Sequence, residues 1–264
     1  MSYSLLKYEI DRDVAVVTMN SPPANWMSRE LLFELEDAVN RLKNEVDIRA
    51  VVIASSCEGY FSAGADISML KDAMLKDIGE ETLDMIPRAQ AIFNSLEDVP
   101  LPTVAAISGH ALGGGLELVL ACDFRFMAKG SGRIGLPEAR LGLIPSFGGT
   151  QRLPSIVGRA KALEMMINGL QLKSNEAKEI GLLTDVFEGA ELMEKSMSYA
   201  RRLAKQATGA IARIKKCVNT GLREGFDRGI IEEARAFREI VKTADAKEGI
   251  EDFLSGRRPR FTGS

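Results

Sequence analysis

Histidine, cysteine and any excess of one charge are all scarce in this sequence, and each shortage closes a functional route. The 264 residues contain one histidine, His110, so a Ser/His or Cys/His nucleophile would have to rely on that single ring. A structural or substrate-contacting role suits it better. The three cysteines, Cys57, Cys122 and Cys217, stand far apart in no C-x-x-C spacing and are odd in number. Neither a metal site nor a disulfide framework is expected from them, and a reducing compartment fits. Lys and Arg total 34 against 37 Asp and Glu, a net charge of −3, so no global field favours nucleic acid or an anionic membrane. No apolar run approaches the roughly 20 residues that span a bilayer. The stretch Met1-Ser2-Tyr3-Ser4-Leu5-Leu6-Lys7 lacks both a secretory apolar core and an Arg-rich amphipathic presequence. The sequence reads as cytoplasmic, or as a mature mitochondrial form, with no membrane or nucleic-acid partner.

What is present is an apolar fraction of 45%, enough for one sizeable core. Two β-type runs, Tyr8 to Ile10 and Val14 to Met19, flank a polar turn at Asp11-Arg12-Asp13. Ser28 can cap a helix whose Leu31, Leu32, Leu35, Ala38, Val39 and Leu42 follow helical spacing. Arg49 to Ala54, Thr103 to Ser108 and Asp123 to Ala128 read as strands, with helical stretches after Asp66 and after Gly113-Gly114-Gly115. Pro100 and Pro102 end the helix before them. From Gly148 onward helical patterns recur around 159–168, 174–180, 191–206, 209–223 and 231–242. The expected class is α/β, with a core over 1–190 and a helical region over 191–264.

Glycine-rich motifs need sorting. Gly130-Ser131-Gly132-Arg133-Ile134-Gly135 fits G-x-G-x-x-G, but Leu136-Pro137 follows where a helix should begin, which argues against a dinucleotide site. No P-loop and no G-x-S-x-G occurs. Gly113-Gly114-Gly115 differs, because it joins a strand to an apolar helix and leaves bare N–H groups at a helix N-terminus, where negative charge is held. Tight packing alone would also explain it. Glu117 then stands in Gly-Leu-Glu-Leu-Val-Leu-Ala, a helix apolar on nearly all sides. A carboxylate buried there is costly unless it is paired, protonated or at work. Glu138 lies at a similar loop-to-helix entrance, where its bland role is a favourable first-turn charge.

Three blocks resemble the crotonase (enoyl-CoA hydratase/isomerase) superfamily: Phe61-Ser62-Ala63-Gly64-Ala65-Asp66-Ile67, Gly109 to Leu118, and Leu136-Pro137-Glu138-Ala139-Arg140-Leu141-Gly142-Leu143-Ile144-Pro145. The likeness continues through Gly148-Gly149-Thr150-Gln151-Arg152-Leu153-Pro154, Ala177 to Leu182, Asp245 to Ile250 and Arg257 to Phe261, in family order over nearly the whole chain. It implies a spiral of β-β-α units with a helical C-terminal region engaged in trimerisation, as a homotrimer or a hexamer of two trimers. It implies an acyl-CoA thioester substrate, coenzyme A belonging to the substrate, with no separate cofactor and no metal. It places the oxyanion hole at the backbone amides of Ala65 and Gly114 and the acid/base pair of a 2-enoyl-CoA hydratase on Glu117 and Glu138. The binding positions it implies are Ala24, Trp26, Ala63, Gly64, Asp66, Ile67, Gly113, Pro137 and Gly142.

Two aimed N–H donors lower the barrier to an enolate-like thioester oxygen by about 3 to 4 kcal/mol each. One carboxyl deprotonates water for attack at C3 and the other protonates C2; Glu117 is assigned to water and Glu138 to the α-proton. A 3-enoyl to 2-enoyl isomerase needs one carboxylate, and a non-catalytic acyl-CoA or RNA-binding relative needs neither. The stretch Ser21-Pro22-Pro23-Ala24-Asn25-Trp26 lacks the lysine that many members carry there, and Arg257-Arg258-Pro259-Arg260 is either a phosphate contact or a solvated basic tail.

Overall fold

Short valine- and isoleucine-rich runs pair early in the computed structural model, which describes residues 3–67, 71 and 84–263. Strand β1 (Leu6–Asp11) turns through Arg12 into β2 (Val14–Met19), and the two pair antiparallel with Asp11 opposite Val14. Helix α1 (Arg29–Asn44) follows, capped by Ser28 Oγ, which accepts the Leu31 amide at 3.2 Å. Its six predicted apolar residues are all buried. Next come β3 (Ala50–Ser55), β4 (Tyr60–Ser62) and α2 (Met85–Glu97), which ends before Pro100. The helical stretch expected just after Asp66 lies mostly outside the described residues.

The chain then runs through β5 (Thr103–Ile107), β6 (His110–Leu112), α3 (Gly114–Leu120), β7 (Phe124–Ala128) and β8 (Ile134–Gly135). A 3-10 turn (Glu138–Leu141), α4 (Gly149–Val157), α5 (Arg159–Ile167), β9 (Gln171–Leu172), α6 (Ser174–Glu179) and β10 (Asp185–Phe187) complete this part. One sheet has the order β1-β2-β3-β5-β7-β10, parallel from β2 onward, and the other β4-β6-β8-β9. The pairs β3/β4, β5/β6 and β7/β8 each give one strand to each sheet, so the chain spirals through repeated two-strand units. The second sheet escapes a sequence reading because strands of two or three residues show no period.

Both faces of the larger sheet are covered, as parallel strands require. Ala15, Val17, Val51, Ile53, Ala105, Ile107 and Met127 face the leucines of α1, α2 and α3. Their neighbours Val14, Val16, Ala50, Val52, Val104, Ala106 and Phe126 face Leu192, Met197, Ala200 and Ala204 of α7 (Leu192–Ala204). This period of two along each strand gives the fold a core on either side of one sheet.

Beyond α7 the chain is helical: α8 (Thr208–Glu224), α9 (Phe226–Ile240) and α10 (Ala244–Leu254), the last not anticipated from the sequence. Helices α8 and α9 form a hairpin whose backbones meet at glycines; a Cβ on Gly229 would lie 2.9 Å from the Gly221 Cα. The face that α8 turns to the core is polar: Lys215 Nζ donates to the Leu101 carbonyl at 2.7 Å, Asn219 reaches the Glu97 carbonyl, and Arg223 Nη1 donates to Asp98 at 2.7 Å. Its apolar stripe Ile214, Val218 and Leu222 is exposed, as are Phe226, Ile230 and Phe237 of α9. No described helix is long and apolar enough to cross a membrane.

Candidate active site

The site assembles where the two-strand units deliver their loops to the N-terminus of α3. Gly113, at φ 53°, ends β6 and opens the helix, and all seven residues of α3 are buried. Gly64, at φ 93°, brings a second segment against it. A Cβ there would meet the Leu112 carbonyl at 2.7 Å and the Gly114 nitrogen at 3.1 Å, so only glycine permits this approach. The amides of Ala65 and Gly114 are thereby neighbours, and among the described residues neither is taken by a backbone acceptor. A thioester oxygen arriving between them would meet two free donors.

The stretch 24–27 runs alongside this wall. Ala63 N donates to the Ala24 carbonyl at 2.9 Å, Met27 N donates to the Gly64 carbonyl at 2.8 Å, and Met27 bridges Ala65. Of the expected binding positions, Ala24, Gly64 and Gly113 are buried, Ala63, Asp66 and Pro137 are partly exposed, and Ile67 and Trp26 are open to solvent. Gly142, at φ 72°, ends the 3-10 turn that starts at Glu138 and borders open space. The first motif and the 24–27 stretch therefore meet at the Gly113 corner.

Glu117 is 1% exposed. Its Oε1 accepts the amides of Phe147 and Gly149, each at 2.7 Å. Burial pushes its carboxyl up to about 7, with the Glu138 charge adding to the rise, while the two amides and Arg152 act against it. Glu138 is also raised, by burial. Its Oε1 lies 3.2 Å from where a Gly113 Cβ would stand, and its Oε2 is buried without a hydrogen-bond partner. The two carboxyls thus flank the opening turn of α3 and sense each other's charge. Burial raises both carboxyls, and like charges sharing one site favour one ionised and one protonated member.

A full-length match accompanies this geometry. The family model described as enoyl-CoA hydratase/isomerase matches residues 9–264. The chain belongs to the enoyl-CoA hydratase/isomerase family. Within that family it is 38% identical over 256 residues to a Bacillus subtilis (strain 168) protein named "Probable enoyl-CoA hydratase", covering 96% of this chain and 97% of that one. It is 35% identical over 260 residues to the mitochondrial methylglutaconyl-CoA hydratase of Rattus norvegicus, covering 97% and 81%. The solved enoyl-CoA hydratase of Geobacillus kaustophilus HTA426 superposes with a TM-score of 0.94 at 34% identity, over 100% of this chain and 98% of that one. The mixed α/β spiral with its helical C-terminal region is the fold of this enoyl-CoA hydratase/isomerase neighbour.

Several contact residues of this family member escape a reading of the sequence. Phe147 and Gly149 hold Glu117 from 30 and 32 positions away, and Arg152 backs them. The signal available was the doublet Gly148-Gly149 ahead of α4, which reads as an ordinary helix start. A Cβ on Gly149 would lie 2.9 Å from Glu117 Oε1, so the glycine makes room for the carboxyl. His110 lies outside this group: its Nδ1 accepts the Arg133 amide and its ring packs on Tyr60. The rejected glycine motif is explained by packing, since a Cβ on Gly132 would lie 2.5 Å from the His110 nitrogen and one on Gly135 would lie 2.3 Å from the Leu170 carbonyl. In the basic tail, Arg257 is engaged by Asp252 at 2.7 Å. Among the described residues no group of three or more His, Cys, Asp or Glu is disposed to hold a metal.

Proposed function

We propose that this protein hydrates 2-trans-enoyl-CoA thioesters reversibly to 3-hydroxyacyl-CoA. What carries the reading is the placement of two carboxyls, Glu117 and Glu138, on either side of a helix N-terminus whose Gly114 amide, with that of Ala65, stands open. Ionised Glu117 takes a proton from water, whose oxygen adds at C3. The electron pair of the C2–C3 bond moves toward the thioester oxygen, where the amides of Ala65 and Gly114 hold the developing charge. Protonated Glu138 then delivers a proton to C2, so one molecule of water is added and the carboxyls exchange states. The same groups run the reverse elimination. Coenzyme A enters and leaves as part of the substrate, and no other cofactor takes part.

The alternative on this fold, moving a double bond from C3 to C2, needs only one proton-shuttling carboxylate, so the second acid favours hydration. Absorbance of the enoyl thioester separates the readings. With crotonyl-CoA the absorbance falls as 3-hydroxybutyryl-CoA forms; an isomerase would leave crotonyl-CoA untouched and generate absorbance from a 3-enoyl-CoA. A protein that only binds acyl-CoA or RNA would change neither. The inverted helix α8, polar toward its own core and apolar outward, supports association with further copies of the chain as a trimer or a pair of trimers. We place the enzyme in the cytoplasm or, as a mature form, in the mitochondrion.

A further inference from the structure

Arg152 is buried, and a guanidinium in that position is costly unless each donor is used. Its Nε and Nη2 donate to Glu97 Oε2 at 3.2 and 3.0 Å, Nη2 also donates to Asn94, and Nη1 donates to the Phe147 carbonyl at 3.2 Å. Phe147 is one of the two residues whose amides hold Glu117. Between them, a Cβ on Gly148 would lie 2.2 Å from Arg152 Nη1, so the guanidinium fills the space of a side chain there. The 147–149 loop is clamped on one side by the Glu117 carboxylate and on the other by Arg152. Glu97 is not spent on Arg152 alone, because its Oε2 also accepts from Arg223 of α8. Arg223 is paired with Asp98 as well, so two guanidiniums and two carboxylates form one network behind the loop.

We propose that Arg152 is a positioning residue for Glu117, holding the 147–149 loop so that two amides converge on one carboxylate oxygen. The inference rests on the reading of Glu117 as the group that activates water. The charged groups that bear on Glu117 are Glu138 from the 3-10 turn and Arg152 from α4, with Glu97 of α2, Arg223 of α8 and the Asp98 that pairs with Arg223 behind Arg152. Loss of the Arg152 charge therefore disfavours ionised Glu117, and loss of the Glu97 charge favours it.

The test is the pH profile of crotonyl-CoA hydration by the full-length protein and by Arg152→Gln, Arg152→Lys, Glu97→Gln and Glu117→Gln. In Arg152→Gln, kcat falls at least about tenfold with KM within about threefold of wild type, as expected for a misplaced reacting group. Its acid limb moves to higher pH. Arg152→Lys keeps the charge but not the fork, so its limb stays at the wild-type position while kcat recovers only in part. Glu97→Gln moves the limb to lower pH. An Arg152→Gln limb that stays put, or a loss confined to KM, overturns the inference; should that variant fail to fold, a Glu97→Gln limb that stays put or moves upward does the same. Full turnover in Glu117→Gln would instead overturn the reading of Glu117 itself.

Discussion

Gly149→Ala places one methyl group where the account says none can go. The new Cβ would stand 2.9 Å from Glu117 Oε1, 2.9 Å from Leu136 Cδ1 and 3.0 Å from Glu117 Cγ, all inside ordinary contact distance. Either the carboxyl retreats or the loop does, and both 2.7 Å amide bonds to Oε1 are strained. A hydrogen bond to a charged group contributes about 1.5 to 3 kcal/mol, so losing one raises Glu117 by about one to two pH units. With its carboxyl already near 7, less of it is ionised at neutral pH, and kcat/KM there falls at least about tenfold as the misplaced base compounds the loss. Stability weighs two opposed effects. Alanine in place of a helical glycine gains about 0.5 to 1 kcal/mol, while overpacking costs about 1 to 3 kcal/mol. The net runs from about zero to a loss of about 2.5 kcal/mol, or several degrees in Tm. Crotonyl-CoA kinetics against pH and a thermal melt measure both. A variant with wild-type kcat/KM and a raised Tm would refute the reasoning, because it would mean that the carboxyl does not occupy that space.

The remaining expectations concern charge and assembly. On the proposed mechanism Glu117 activates water in its ionised form, and burial holds its carboxyl up to about 7, so kcat/KM is expected to fall as pH drops through that region, about tenfold per unit below it. Glu138 works protonated and uncharged on this mechanism, and Gln is uncharged too, so in Glu138→Gln the acid limb of the residual activity stays near its wild-type position. Val218→Glu sets a charge in the exposed apolar stripe of α8, and light scattering should report a smaller particle than the wild type while the far-ultraviolet circular dichroism is retained.

How much of this was written in local sequence differs by element. Helix α1 was legible because its six leucine, valine and alanine positions follow one helical face and Ser28 stands at its start. Glu117 was legible because a charge inside an apolar helix contradicts its surroundings. Strands β4, β6, β8 and β9 were not, since two or three residues cannot display a period, and they form by pairing with partners distant in sequence. Helix α4 was missed because Pro154 lies within it and glycines open it. Arg152 was missed for a related reason: its partners Asn94, Glu97 and Phe147 come from α2 and from the loop before α4, a coincidence that only the folded chain creates.

The pairing of carboxyls across one thioester is tested most directly by measuring crotonyl-CoA turnover and butyryl-CoA binding side by side in Glu117→Gln and Glu138→Gln. Each substitution is expected to lower kcat by at least about 100-fold, while the dissociation constant stays within about threefold of wild type, because neither carboxyl is needed to hold the thioester. Turnover near the wild-type value in either variant, or a loss accounted for by weakened binding alone, would contradict the account.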